Sequence, residues 1–258
     1  MHKMVENQVR ISVRDLVEFV LRSGDLDNRR AAVNREAMRE GSRIHRKIQK
    51  RMGAGYQAEV AMKMAFPAGN VEIVLEGRAD GVMTEADGSV TIDEIKGMYQ
   101  DVTLFQEPLL VHRAQAVCYA YMYAVSHGME QMGIQMTYCN IETEETRRFR
   151  EVRTMERLED EVQSYIREYA KWAQFLYEHR KKRNASIKGL EFPYPYRKGQ
   201  RDLVVAVYRS MIQGRNLFIQ APTGIGKTLS TVFPAVKAVG EGWADKIFYL
   251  TAKTITRS

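Results

Sequence analysis

Val13, Leu16, Val17 and Val20 fall on one face at helical spacing, so residues 10–22 are predicted as a helix with Ser12 as its N-cap. A second helix is predicted over 29–52, where Val33, Ala37, Gly41, Ile44 and Ile48 share a face. The period then drops to two. Residues 71–75, 77–83 and 90–96 read as three strands, with Asp87 and Gly88 turning the chain between the last two. A helix over 113–127, a strand over 134–140 and a polar, exposed strand over 146–152 follow. From Met155 to about Arg183, Leu158, Val162, Tyr165, Ile166, Tyr169, Trp172 and Leu176 make one long amphipathic helix. Residues 180–195, a basic run followed by Pro193 and Pro195, read as a linker. Beyond it come a helix (200–213), a strand (216–220), a glycine-containing loop, a helix (227–239) and a strand (246–251), the opening of a βαβ sheet.

The length of 258 residues allows one large domain or two smaller ones. No apolar run reaches the roughly 20 residues of a membrane span, and the first residues lack the apolar core of a signal peptide. No membrane partner and a cytoplasmic setting are therefore expected. Cys118 and Cys139 are too few for a disulfide scaffold, and an iron–sulfur cluster takes about four thiols. The net charge is +7, and ten Lys or Arg stand against three acidic residues between Glu178 and Arg215. Such a surplus suits either a solvated linker or a nucleic-acid track.

Glu94 and Lys96 are two apart on a predicted strand, so both side chains leave the same face as Val90 and Ile92. Counting back across the turn places Asp80 opposite Asp93 or Glu94. Two converging carboxylates suit a divalent cation, and a neighbouring lysine can position water or neutralise charge on a phosphate. On its own the pattern is weak, because ion pairs on exposed strands are common.

Two further features carry the reading. His45 follows Gly41 by one helical turn, and Gln115 and Tyr119 share one face of the helix after the strands. In this order, Gly41 with His45, Asp80, Glu94 with Lys96, and Gln115 with Tyr119 resemble the RecB-like branch of the PD-(D/E)xK nucleases. The resemblance covers roughly residues 10–180 and implies a restriction-endonuclease-like α/β core. It implies that His45, Asp80 and Glu94 bind Mg²⁺ or Mn²⁺, that Lys96 is catalytic, and that Gln115 and Tyr119 support the site and the DNA. AddB-type relatives carry four cysteines for an iron–sulfur cluster; this chain has no such set, and none is expected.

Residues 221–228 form a phosphate-cradling loop. Gly224 and Gly226 let backbone N–H groups approach phosphate, Lys227 reaches the β- and γ-phosphates, and Thr228 ligates Mg²⁺. With Thr223 these residues predict ATP binding. The wider stretch from Tyr196 resembles the opening of DinG/XPD-like helicases, in which a glutamine near Gln200 contacts adenine and the strand ending near Lys253 leads to a single-strand DNA contact. The acidic box that such a motor needs is expected beyond Ser258, so the motor reads as cut short. Residues 1–183 are thus expected to be a nuclease domain, 184–195 a linker, and 196–258 the incomplete start of a P-loop NTPase domain. DNA, single-stranded or with free ends, is the implied partner. The alternative is a non-cleaving module that tethers a helicase to DNA.

Overall fold

A computed structural model describes residues 7–24 and 35–250 of the chain. Contacts divide the described residues into two compact units, those within 9–173 in one and residues 7–8 with 174–250 in the other.

In the larger unit a short strand β1 (Gln8–Ser12) passes directly into helix α1 (Val13–Val20). Ser12 makes that switch: its hydroxyl accepts the Asp15 N–H at 3.0 Å, the predicted N-cap bond. Helix α2 spans Arg35–Arg51; Val33, assigned above to its apolar face, lies outside the described residues. Then follow strands β2 (Tyr56–Ala68), β3 (Val71–Thr84) and β4 (Val90–Met98), helix α3 (Leu110–His127), strands β5 (Gln131–Asn140) and β6 (Thr146–Thr154), and helix α4 (Met155–Lys188), whose residues from Gln174 on belong to the smaller unit.

The six strands form one sheet in the order β1-β3-β4-β5-β6, with β2 on β3. β4 and β5 run parallel, linked by α3, and β6 returns antiparallel on β5. β2 occupies one edge of β3 from Val71 to Met83, so β4 takes the other edge. That β4 ladder is short, from Thr84↔Val90 to Gly81↔Asp93. Ile44 and Ile48 seat α2 on one face of the sheet against Ile95, Cys139 and Ile141. α3 covers the other face and buries Ala114, Val117, Cys118, Tyr121 and Met122.

Several expectations change. Residues 71–75 and 77–83 are one strand, because Gly77 keeps extended backbone and does not break the ladder. β2, absent from the sequence reading, alternates half-buried and exposed positions. The basic run from Arg180 belongs to α4, which continues to Lys188 and stops before Gly189; Lys and Arg favour helix, and glycine ends it.

In the smaller unit helices α5 (Gln200–Gln213) and α6 (Lys227–Gly240) form as expected. The strands expected over 216–220 and 246–251 do not: the described residues of both segments have no regular secondary structure. Phe218, Phe248 and Leu250 are more than four-fifths exposed. A strand is held by its ladder, and neither segment pairs with a strand among the described residues. Thr251 and the residues after it lie outside the described part.

Candidate active site

β3 and β4 separate just where the charged residues stand. Gly81↔Asp93 is the last ladder pair, one step before Asp80 and Glu94, so the sequence-predicted register holds. At this fork the Ile95 N–H is taken by Asp80 Oδ2 at 2.8 Å. The other Asp80 oxygen lies 3.3 Å from His45 Nδ1. Gln49, one turn after His45, donates to the Asp80 carbonyl at 2.9 Å and to Glu59 at 3.1 Å. Helix α2 is thereby pinned to β3 at Asp80. Burial works against a charged His45, but the bond to Asp80 and its charge outweigh it and raise the imidazole above its ordinary value.

Glu94 and Lys96 leave β4 on the face covered by α3. Lys96 Nζ donates to Glu94 Oε1 at 2.7 Å and to Gln115 Oε1 at 2.8 Å. Two of its three N–H donors are spent, and one remains. Glu94 is 4% exposed, and its Oε2 is sealed in with no hydrogen-bond partner. Burial pushes the Glu94 carboxyl up to about 7, although Lys96 pulls the other way. Among the described residues, no three His, Cys, Asp or Glu side chains converge as a ready-made metal cage. The three residues named as ligands are instead divided: His45 engages Asp80, and Lys96 engages Glu94.

Gln115 is buried, and Tyr119 follows it one turn along α3. Tyr119 explains Gly77: a Cβ there would meet the tyrosine hydroxyl at 2.5 Å. Gln115 therefore joins the charged cluster directly, whereas Tyr119 packs against β3.

The opposite face of β4 carries a polar group that the sequence reading did not identify. Asp93 is fully buried and accepts from Thr137 at 2.6 Å, Gln135 at 3.1 Å and Tyr56 at 3.3 Å. Tyr56 fits because residue 81 is glycine; a Cβ at Gly81 would collide with its ring. These partners hold Asp93 and Gly81, the immediate neighbours of Glu94 and Asp80. Gln135 and Thr137, two apart among the apolar residues in the middle of β5, were the available signal for a buried polar partner. For Gln49 the signal was its position four residues after His45.

In the smaller unit, Gly224 and Gly226 adopt positive φ of 84° and 80°, conformations that favour glycine. Gln200 is buried against this loop. Its Nε2 donates to the Ile225 carbonyl at 2.8 Å, its Oε1 accepts the Arg197 N–H at 3.0 Å, and a Cβ on Gly226 would lie 2.7 Å from it. Arg197 also donates to the Gly224 carbonyl. Lys227 Nζ turns onto the loop, donating to Ala221 at 3.0 Å and Pro222 at 2.9 Å. Thr228 Oγ1 lies 3.4 Å from the Tyr249 hydroxyl, and Thr223 is exposed on the loop.

Comparison with known proteins yields two family matches: residues 198–254 match the DEAD/DEAH box helicases, and residues 2–194 match the PD-(D/E)XK nuclease superfamily. The probable ATP-dependent helicase MJ0942 of Methanocaldococcus jannaschii is 43% identical over 47 residues, which are 18% of this chain and 7% of that relative. The chain thus matches only a small part of that relative's length. Among solved structures, SSO0001 is similar at 19% identity and a TM-score of 0.40, covering 64% of this chain and 78% of its own. An alkaline exonuclease from Laribacter hongkongensis is similar at 11% identity and a TM-score of 0.36, covering 67% and 94%. The nuclease match takes in the whole six-stranded sheet and every residue of the Asp80–Glu94–Lys96 cluster, and it spans well over half of the chain. The chain belongs to the PD-(D/E)XK nuclease superfamily.

Proposed function

We propose that the chain carries a divalent-metal-dependent DNA nuclease site, joined to the ATP-binding opening of a DinG/XPD-like helicase. The observation that supports this most is the Glu94–Lys96–Gln115 arrangement beside a buried, unpaired carboxylate oxygen. An isolated buried acceptor is costly, and surface ion pairs leave none behind.

The donor set suits Mg²⁺ or Mn²⁺, which take hard oxygen ligands; Asp80 and Glu94 would supply them and His45 a nitrogen. When bound, the ion would supply a polarised phosphate and an acidified water. The chain's own groups do the rest. Gln115 holds Lys96 in place, and the remaining Lys96 N–H points the lysine's charge at a water or a phosphate oxygen. Tyr119 backs this face of β3. Hydrolysis then adds water across one P–O bond, leaving a phosphate and a hydroxyl end. In the P-loop unit, Thr223, Gly224, Gly226, Lys227 and Thr228 are the proposed phosphate and Mg²⁺ contacts for ATP, with Gln200 at the adenine. DNA repair or recombination in the cytoplasm is the proposed setting, with single-stranded or free-ended DNA as the partner.

A second reading, a DNA-binding module that does not cut, is favoured by the direct His45–Asp80 contact, which engages two of the three proposed ligands. Incubating end-labelled single-stranded DNA with the chain and Mg²⁺ or Mn²⁺ separates the two. The nuclease reading expects fragments that vanish with EDTA and in Lys96→Ala; DNA binding with no cleavage under either metal would favour the module.

A further inference from the structure

One turn before Gln115, α3 carries a second polar residue near the same site. His112 is half-buried, and its Nδ1 lies 3.3 Å from the hydroxyl of Tyr138, with the two rings 5.8 Å apart. Tyr138 is fully buried, and its hydroxyl already accepts the Leu109 N–H at 2.9 Å. The hydroxyl proton needs an acceptor, and His112 Nδ1 is the one in reach among the described residues. Nδ1 therefore accepts, which places the ring proton on Nε2. Burial, with the Lys96 and Arg14 cations nearby, pushes the imidazole down to about 4, so the ring is neutral at physiological pH. No hydrogen bond of the described residues uses Nε2–H.

Two links keep this donor close to Lys96. Lys96 and Tyr138 are register partners on β4 and β5, and adjacent strands lie about 4.8 Å apart. Gln115, bonded to Lys96, sits three residues from His112 on one helix face, a separation of about 5–6 Å between Cβ atoms. A neutral N–H fixed in direction, one side chain from a lysine cation, is suited to a phosphodiester oxygen.

We infer that His112 is a phosphate-binding residue: its Nε2–H takes an oxygen of a backbone phosphate in the DNA strand, neighbouring the phosphate that Lys96 addresses. Tyr138 is the positioning residue behind it. The inference rests on the nuclease reading of the site.

The test is binding of a fluorophore-labelled single-stranded oligonucleotide to the full chain in EDTA, read by anisotropy. A set of oligonucleotides carries one uncharged methylphosphonate each, moved along the strand. With the wild-type chain, one position lowers affinity by about tenfold, the scale of a hydrogen bond to a charged group. His112→Phe binds the all-phosphate strand about tenfold more weakly and is indifferent to methylphosphonate at that position. The salt dependence of its affinity is unchanged, because no cation is removed. Should His112→Phe not fold, Tyr138→Phe replaces it: it frees the ring tautomer, and the penalty at that position shrinks. A folded His112→Phe with wild-type affinity and profile, or an undiminished penalty in Tyr138→Phe, overturns the inference and leaves the nuclease reading standing. A wild-type chain that binds no oligonucleotide in EDTA overturns the inference, and if it also cuts none with Mg²⁺ or Mn²⁺ the nuclease reading falls with it.

Discussion

Replacing Glu94 by glutamine should stabilise the chain at alkaline pH while removing the proposed activity. Glu94 is buried, one oxygen has no partner, and its carboxyl is moved from 4.5 to about 7. That displacement corresponds to about 3 kcal/mol against the ionised form. The folded value lies above the unfolded one, so the folded chain holds the extra proton between them, and stability falls as pH rises from about 4.5 to 7. Glutamine keeps the shape and has no charge to bury. The pull of Lys96 is already contained in that displacement, so nothing further is deducted for it, and the lysine stays bonded to Gln115. Urea unfolding in EDTA should therefore find Glu94→Gln more stable than wild type by about 3 kcal/mol at pH 8 and close to it at pH 4.5. A variant that is equally destabilised at both pH values would refute the claim that Glu94 is held at a cost.

Gly81→Ala should lower stability by about 2 kcal/mol, because the added methyl drives the Tyr56 ring off Asp93; an unchanged urea midpoint would show that Tyr56 does not depend on this gap. Thr137→Val removes the 2.6 Å donor to Asp93 and should cost about 1–3 kcal/mol, with no loss if that carboxylate repartners freely. Lys227→Ala should abolish binding of a fluorescent ATP analogue while leaving metal-dependent DNA cleavage intact; a parallel loss of cleavage would contradict the assignment of the two chemistries to separate residues.

The core of the candidate site was legible because the two-residue strand period puts Lys96 on the face of Glu94 and the Asp87-Gly88 turn sets the register that brings Asp80 beside Glu94. β2 was not legible: its alternation sets Val60, Met62, Met64 and Phe66 against Ala61, Lys63, Ala65 and Pro67, a face with a single charge and a proline, so the contrast between its faces is low. Gly77 looked like a break between strands, and only α3 explains it, through the Tyr119 ring that needs the space. The segments around the P-loop have strand-like apolar runs, but a strand also needs a neighbour, which local sequence does not encode. His112 was invisible for a related reason. A histidine on an amphipathic helix is unremarkable until a tyrosine from a distant strand fixes its tautomer.

The central claim is that Asp80 and Glu94 hold a divalent cation beside Lys96. Calorimetric titration of the EDTA-stripped, dialysed chain with Mn²⁺ tests it most directly. The account predicts saturable binding in the wild type that is lost in both Asp80→Asn and Glu94→Gln and retained in Lys96→Ala. Binding that survives both carboxylate substitutions, or a wild type that binds no Mn²⁺, would contradict it.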